Sequence, residues 1–175
     1  MPSKSAKKAK VPIVYWDSCI FISLIEKTPG RIDIIDELVT IAQNGELLIV
    51  TSTLTEAEVI QWPEDGISQE ESNRKIADFF KNPWIIRRAV DTRVIGTTRR
   101  LRMTTQPKLK TPDAIHIATA LIHEVAAFHT YDRKHLISKD GLLSDNGKYF
   151  LKISEPEPPN KPSDQPLFDA TLKEG

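Results

Sequence analysis

The stretch that most limits how this chain can fold is TPDAIHIATALIHEVAAFHTYD, Thr111 to Asp132. Thr111 suits a helix N-cap, and Pro112 suits the first helical position, where its missing N–H would be unpaired anyway. Ala114, Ile115, Ile117, Ala118, Ala120, Leu121 and Ile122 are apolar nearly all round, so the helix they predict is covered on most sides. Asp113 falls in its first turn, where the helix dipole favours negative charge; a helix-start acid is one reading, a site residue the other. Val125 to Tyr131 reads as a strand with Asp132 at its C-terminal end, and ligand sites in open parallel sheets lie beyond that end of the strands.

The rest of the chain follows the same alternation. Val11–Trp16 predicts a first strand closed by Asp17, and Ser18–Lys27 a short buried helix ended by Pro29-Gly30. Arg31–Asn44 has one apolar helical face, built from Ile34, Ile35, Leu38, Val39, Ile41 and Ala42. Glu46–Thr51 predicts a second strand, and Ser52–Trp62 a helix capped by Ser52 or Thr53 and stopped by Pro63. Ser68-x-x-Glu71 is a capping box that opens a helix to Lys81, so these two helices should form a helical hairpin on the sheet. Trp84–Val90 predicts a strand, Asp91 caps a helix to about Met103, and Tyr149–Ile153 predicts a last strand. Strands alternating with helices define an α/β fold with parallel strands. Residues 1–10 read as a basic disordered arm, 11–153 as one domain, and 154–175 as a Pro-rich acidic tail.

Composition narrows the class. With 175 residues the chain is long enough for a real core, and no apolar run approaches a membrane span. MPSKSAKKAK lacks the apolar segment of a secretory signal. Cys19 is the single cysteine, so an intrachain disulfide is impossible, and the expected compartment is the cytoplasm. The net charge is formally zero but unevenly spread: Arg87, Arg88, Arg93, Arg99, Arg100, Arg102, Lys108 and Lys110 face only Asp91 between positions 87 and 110. That cluster is either a solvated surface or a contact for RNA.

Asp17, a glutamate in the helix after strand two, Asp113 and Asp132 should gather at one sheet edge. Four carboxylates together repel unless a cation neutralises them. Oxygen donors without a histidine trio or cysteines favour a hard ion, Mg²⁺ or Mn²⁺, which lowers the pKa of a bound water and stabilises charge on a transferring phosphoryl group. Phosphodiester hydrolysis by a metal-activated water fits that chemistry. G-x-G-x-x-G and G-x-x-x-x-G-K-[ST] are absent, and Asp17 is followed by Ser18 and Cys19 rather than completing a D-x-D, so dinucleotide, P-loop and aspartyl-phosphate chemistries fit badly.

WDSCIFI, TSTLTEAEV, TPDAIHIATAL and HTYDRKHL, in that order and rough spacing, resemble the four motifs of PIN-domain nucleases over about residues 11–153, most closely the VapC-like toxins of toxin–antitoxin pairs. The resemblance implies a three-layer α/β/α fold with a parallel sheet, a Mg²⁺ or Mn²⁺ acidic site, endoribonuclease activity on RNA, a homodimer and, for a toxin, a cognate antitoxin. By position, Asp17, Glu58, Asp113 and Asp132 match the family's acids, with Ser18 and Thr130 as hydroxyl neighbours supporting them by hydrogen bonds. Glu58 fits the S-x-x-x-x-x-E-[VL] pattern counted from Ser52, and Glu56 reads as a solvated helix charge. The other reading of Ser18 and Thr130 is capping or turn formation. His116, one turn after Asp113, reads as a packed histidine or as a neighbour of the site. His123, His129 and His135 show no ligand spacing, and Trp16, Trp62 and Trp84 border apolar runs and read as core or interface. Two other functions remain open on sequence: a catalytically inactive PIN-fold binding module, and a nuclease of RNA processing or defence rather than a toxin.

Overall fold

A computed structural model describes residues 11–144 and 147–159; the basic arm and most of the Pro-rich tail lie outside them. The sheet contains β1 (Ile13–Trp16), β2 (Leu48–Ser52), β3 (Ile85–Arg88), β4 (Ala127–His129) and β5 (Ile153–Ser154). The helices are α1 (Ser18–Ile25), α2 (Ile32–Gln43), α3 (Thr53–Glu58), α4 (Gln69–Phe79), α5 (Thr92–Thr104) and α6 (Thr111–Ile122). The strands run in the order β3-β2-β1-β4-β5, and every pairing is parallel.

The period-two alternation of the strands sends side chains to both faces. Val14, Trp16, Ile49, Ile85 and Ala127 join α1, α2, Ile76 and Phe80 in one core. Tyr15, Val50, Phe128 and Ile153 join α5, α6 and the Leu136–Leu151 region in the other. Two cores on one sheet make three layers, as expected for a parallel sheet buried on both sides. Ala114, Ile117, Ala118, Ala120 and Leu121 of α6 are all fully buried, so the all-round apolar pattern does mark a covered helix. Trp16 is fully buried, with its ring 5.5 Å from Phe21 and 6.3 Å from Trp84. Trp62 packs its ring 6.2 Å from Phe79.

The capping residues are where the local chemistry puts them. Asp17 accepts from Cys19 N, Ser52 from Leu54 N, Ser68 from Glu71 N and Asp91 from Val94 N. Several boundaries differ from the sequence expectation, and the strand expected over Val125–Tyr131 contains only Ala127–His129. Thr111 is the first residue of α6 and Lys110 takes the cap position with no side-chain bond, so Thr111 is not the N-cap. The helix expected to reach Trp62 stops at Glu58, because Val59 turns to an extended conformation and the Trp62 N–H goes to Ser72 Oγ at 2.7 Å. The segment between α3 and α4 is therefore not helical, and the hairpin of two full helices does not form. The strand expected over Trp84–Val90 contains only Ile85–Arg88. The last strand is Ile153–Ser154 rather than Tyr149–Ile153, since Leu151 pairs with Leu143 and Gly141, and Phe150 bridges Ser144.

The described start of the tail is tied down. Thr130 N donates to Ser154 O at 3.0 Å, Arg133 meets Glu155 at 2.6 Å, and Lys152 pairs with Glu157.

Candidate functional site

β1 and β4 are neighbours in register, Trp16 opposite His129, so the residues that follow them emerge at the same sheet edge. Asp17 leaves β1 there with its N–H 3.4 Å from His129 O. It is buried, at 6% exposure, although it is an acid at the rim of a sheet. Burial pushes its carboxyl above the usual aspartate range, and hydrogen bonds from Cys19 and Thr130 together with the nearby His116 offset only part of that.

Thr130 sits between two acids. Its hydroxyl oxygen accepts from Asp132 N at 3.1 Å, and it also contributes a hydrogen bond that favours ionised Asp17. Cys19 Sγ lies 3.6 Å from the same hydroxyl and accepts from Tyr131 N at 3.2 Å. Burial first, then the adjacent Asp17 charge, push the Cys19 thiol upward, so it is held protonated as a packing and hydrogen-bonding group.

Asp113 is half-buried on the first turn of α6. Burial raises its pKa, and the charge of Asp132 raises it further against the pull of Lys110, His116 and His135. The two acids that sequence reading placed 19 positions apart are thus electrostatic neighbours. Asp132 is held below the ordinary range: the cost of its partial burial is outweighed by bonds from His135, whose N–H donates at 2.9 Å and whose Nδ1 lies 3.0 Å from Oδ2.

Glu58 arrives from the end of α3. Its Oε2 lies 2.7 Å from His116 Nε2, and partial burial, which alone would raise its pKa, is overcome by that bond, by the His116 charge and by Ser18. Glu56 points elsewhere and pairs with Arg87 at 3.0 Å on the surface. His116 is buried and meets Tyr15 Oη with its other nitrogen at 2.7 Å. Its charge acts on Asp17, Glu58 and Asp113 alike, so it stands among three of the four acids.

The four acids are linked through shared neighbours: His116 acts on Asp17, Glu58 and Asp113, and Asp132 acts on Asp113. Among the described residues, no group of three or more His, Cys, Asp or Glu side chains is drawn close enough to hold a metal ion as it stands. In kind, the donors fit a hard divalent cation: all are carboxylates, and the ionised forms of Asp17 and Asp113 carry a burial or repulsion cost that such an ion would relieve.

Sequence reading did not find the partnerships of His116 and His135. The only signal is that each lies three residues after an acid, Asp113-x-x-His116 and Asp132-x-x-His135. His135 bonds the acid of its own motif, whereas His116 bonds Glu58, 58 residues away in sequence. His129 is buried, accepts from Trp16 Nε1 at 3.2 Å and is pushed down to about 4 by burial, which marks it as a core histidine.

The basic residues divide. Arg87 is taken up by Glu56, and Arg102 Nε donates to Leu109 O at 3.2 Å. Arg88, Arg93 and Arg99 are exposed, and Arg100 is half-buried. The charges of Arg88 and Arg93 depress the His123 pKa, after burial, so these two arginines lie near the end of α6. Among the described residues no helix is long and apolar enough to cross a membrane.

The PIN domain profile matches residues 14–140, and the chain belongs to the PIN domain family. Among solved structures it is similar to VapBC2 from Rickettsia felis bound to a DNA fragment from its promoter, at 17% identity over 81% of this chain and 98% of the other, with a TM-score of 0.56. It is also similar to a toxin–antitoxin complex from Klebsiella pneumoniae, at 20% identity over 70% and 88% of the two chains and a TM-score of 0.52. A third is VapC20 from Mycobacterium tuberculosis, a sarcin–ricin loop cleaving toxin, at 9% identity over 70% and 92% and a TM-score of 0.53. At these identities the likeness is one of fold. No curated protein matches the sequence.

Proposed function

We propose that this protein is a metal-dependent endoribonuclease, with Asp17, Glu58, Asp113 and Asp132 holding Mg²⁺ or Mn²⁺ and Ser18 and Thr130 supporting the carboxylates. What supports the reading is that His116 acts on Asp17, Glu58 and Asp113 and that Asp132 acts on Asp113, with the Asp17 and Asp113 carboxyls pushed upward, in a chain of the PIN domain family. A bound Mg²⁺ or Mn²⁺ supplies ionisation of a water and neutralisation of charge on a phosphoryl group. Thr130 holds Asp17 and Asp132 in fixed relation through its single hydroxyl. Lys110, whose charge reaches both Asp113 and Asp132, would meet an RNA phosphate at the site, and Arg88 and Arg93 would meet the backbone farther along, near the other end of α6.

In this reading the protein is a toxin that acts on RNA in the cytoplasm as a homodimer, and the likeness to toxin–antitoxin structures supports a cognate antitoxin protein as its partner. The test is cleavage of a mixed RNA pool with Mn²⁺, with Mg²⁺ and with chelator, run beside Asp113→Asn. Metal-dependent cutting lost in the variant is the expected result. Cutting by the variant at the wild-type rate overturns the site assignment. Absence of cutting together with absence of Mn²⁺ binding by calorimetry indicates a non-catalytic PIN-fold module. Growth arrest on expression, relieved by a co-expressed neighbouring gene product, separates a toxin from a processing or defence nuclease.

A further inference from the structure

The buried polar chain behind Glu58 has a direction. Ser52 N donates to Tyr15 Oη at 3.0 Å, so the phenol oxygen is an acceptor there. Tyr15 Oη lies 2.7 Å from His116 Nδ1, and His116 Nε2 lies 2.7 Å from Glu58 Oε2. A carboxylate offers only acceptor sites, so the Nε2–Glu58 contact requires a proton on Nε2. In the neutral ring Nδ1 is then the acceptor and the Tyr15 O–H fills it; in the charged ring Nδ1–H donates to Tyr15 Oη, and Nε2–H points to Glu58 in both. Thr51 gives its own proton to Trp16 O at 2.8 Å and lies 2.7 Å from Thr55 Oγ1, which closes the chain on the sheet side. Tyr15 and His116 are buried, at 0% and 3% exposure, whereas Glu58 lies partly open at the site.

We propose that His116 is a positioning residue: its Nε2–H fixes the Glu58 carboxylate at the acidic site, and Tyr15 fixes the tautomer that lets it do so. This rests on the reading of Glu58 as a metal-holding acid. Glu58 needs such support because it is the last residue of a six-residue helix, after which Val59 is already extended. Three side-chain torsions and a helix end leave the carboxylate loose unless something rigid meets it, and α6 is a thoroughly buried helix. The same geometry accounts for the choice of Glu58 over Glu56, since only Glu58 faces α6. Hydrogen-bonding partners of metal-holding carboxylates act through orientation, and losing one costs about 10–100-fold in metal affinity.

Two measurements on the full chain decide it. Imidazole ¹⁵N resonances at pH 7.5 without metal read the tautomer directly. A protonated Nε2 on His116, shifted by Glu58→Gln, is expected; a bare Nε2 overturns the proposal whether or not the protein binds metal. Mn²⁺ calorimetry then compares wild type with His116→Gln, His116→Phe and Tyr15→Phe, each checked for folding by near-UV circular dichroism. Gln can place an amide N–H where Nε2 stands, so its Kd should stay within about threefold of wild type, while Phe should raise Kd about 10–100-fold. Tyr15→Phe frees Nδ1 and should fall between them. A folded His116→Phe with wild-type affinity overturns the positioning role. Wild-type protein that binds no Mn²⁺ overturns the nuclease reading instead, and the resonances still report on the His116–Glu58 pair.

Discussion

Replacing Asp17 by Asn should make the metal-free protein more stable while removing its activity. The carboxylate is buried and caps α1 through Cys19 N at 3.1 Å. Burying an ionised carboxylate costs several kcal/mol after relaxation, and the hydrogen bonds from Cys19, Thr130 and Ile20 with the nearby His116 offset only part of it, since the carboxyl stays raised. A rise of one in a pKa corresponds to about 1.4 kcal/mol, which sets the scale of the penalty left over. Asn keeps the acceptor oxygen that caps α1 and puts an NH2 in place of the second oxygen, which the Thr130 oxygen can accept once its own proton turns away, so the change is chiefly one of charge. The expected gain is about 1–2 kcal/mol at pH 7.5, or roughly 2–8 °C in Tm for a chain of this size.

The pH dependence fixes the sign. Because burial raises the folded pKa of Asp17, the folded state holds the proton more tightly than the unfolded chain. The stability this contributes is fully present below the unfolded pKa, near 3.9, and is lost as pH rises through the folded value. The advantage of the Asn variant should therefore grow over that window and level off above it. Adding Mn²⁺ should reverse the order, since an ion at 100 times its Kd stabilises wild type by about 2.7 kcal/mol and the variant hardly at all. Thermal melts of both proteins from pH 4 to 8, with and without Mn²⁺, make the comparison. A variant less stable than wild type at pH 7.5 without metal would refute the electrostatic argument, and equal stabilisation of both by Mn²⁺ would refute Asp17 as a ligand.

Three other outcomes are expected. Ile117→Ala on α6 opens a cavity at a fully buried position and should cost about 2–5 kcal/mol in urea unfolding; a loss under about 1 kcal/mol would mean the layer between α6 and the sheet collapses to fill it. Glu56→Ala removes a surface pair with Arg87 worth at most about 1 kcal/mol and should leave cleavage and Mn²⁺ affinity intact, whereas lost cleavage would hand the second acid position to Glu56. RNA affinity should fall with salt, and Arg88→Ala or Arg93→Ala should each reduce the log–log slope by about 0.7; an unchanged slope in both would remove the basic surface from the RNA path.

Legibility in the sequence tracked the range of the forces involved. α6 was readable because Pro112, Asp113 and an all-apolar circumference are local signals, and its burial needs no particular partner. The caps at Ser68 and Asp91 were readable for the same reason. The end of α3 was not. Val59-Ile60 and Trp62 look like one more helical turn, but the Trp62 N–H finds Ser72 on another helix, and that competition leaves no mark in the local sequence. β5 was misplaced because Tyr149–Leu151 has strand-like composition and pairs with the loop at 141–144 instead of the sheet. Of the candidate acids, Asp17 and Asp132 were legible as residues closing strands. Glu58 needed the family pattern, and its partner His116 needed the fold, since the two meet only when α3 and α6 pack over the end of β2.

The four acids divide into two kinds, and the division follows from where histidine stands. Glu58 and Asp132 each meet an imidazole at hydrogen-bond distance, and both carboxyls are held below their ordinary range. Asp17 and Asp113 are raised, chiefly by burial and, for Asp113, by Asp132. The pH dependences of the two kinds oppose each other: the contribution of Glu58 and Asp132 is lost as pH falls through their folded values, that of Asp17 and Asp113 as pH rises through theirs. A divalent cation arriving at this edge gains most at Asp17 and Asp113, where the charge is only partly offset, and finds Glu58 and Asp132 held by histidine. Such an arrangement needs a support that does not yield, because a histidine free to swing would follow the ion rather than hold the acid. α6 supplies that support by carrying Asp113 and His116 one turn apart, on a helix whose other side chains are locked between Tyr15, Val50 and Leu101.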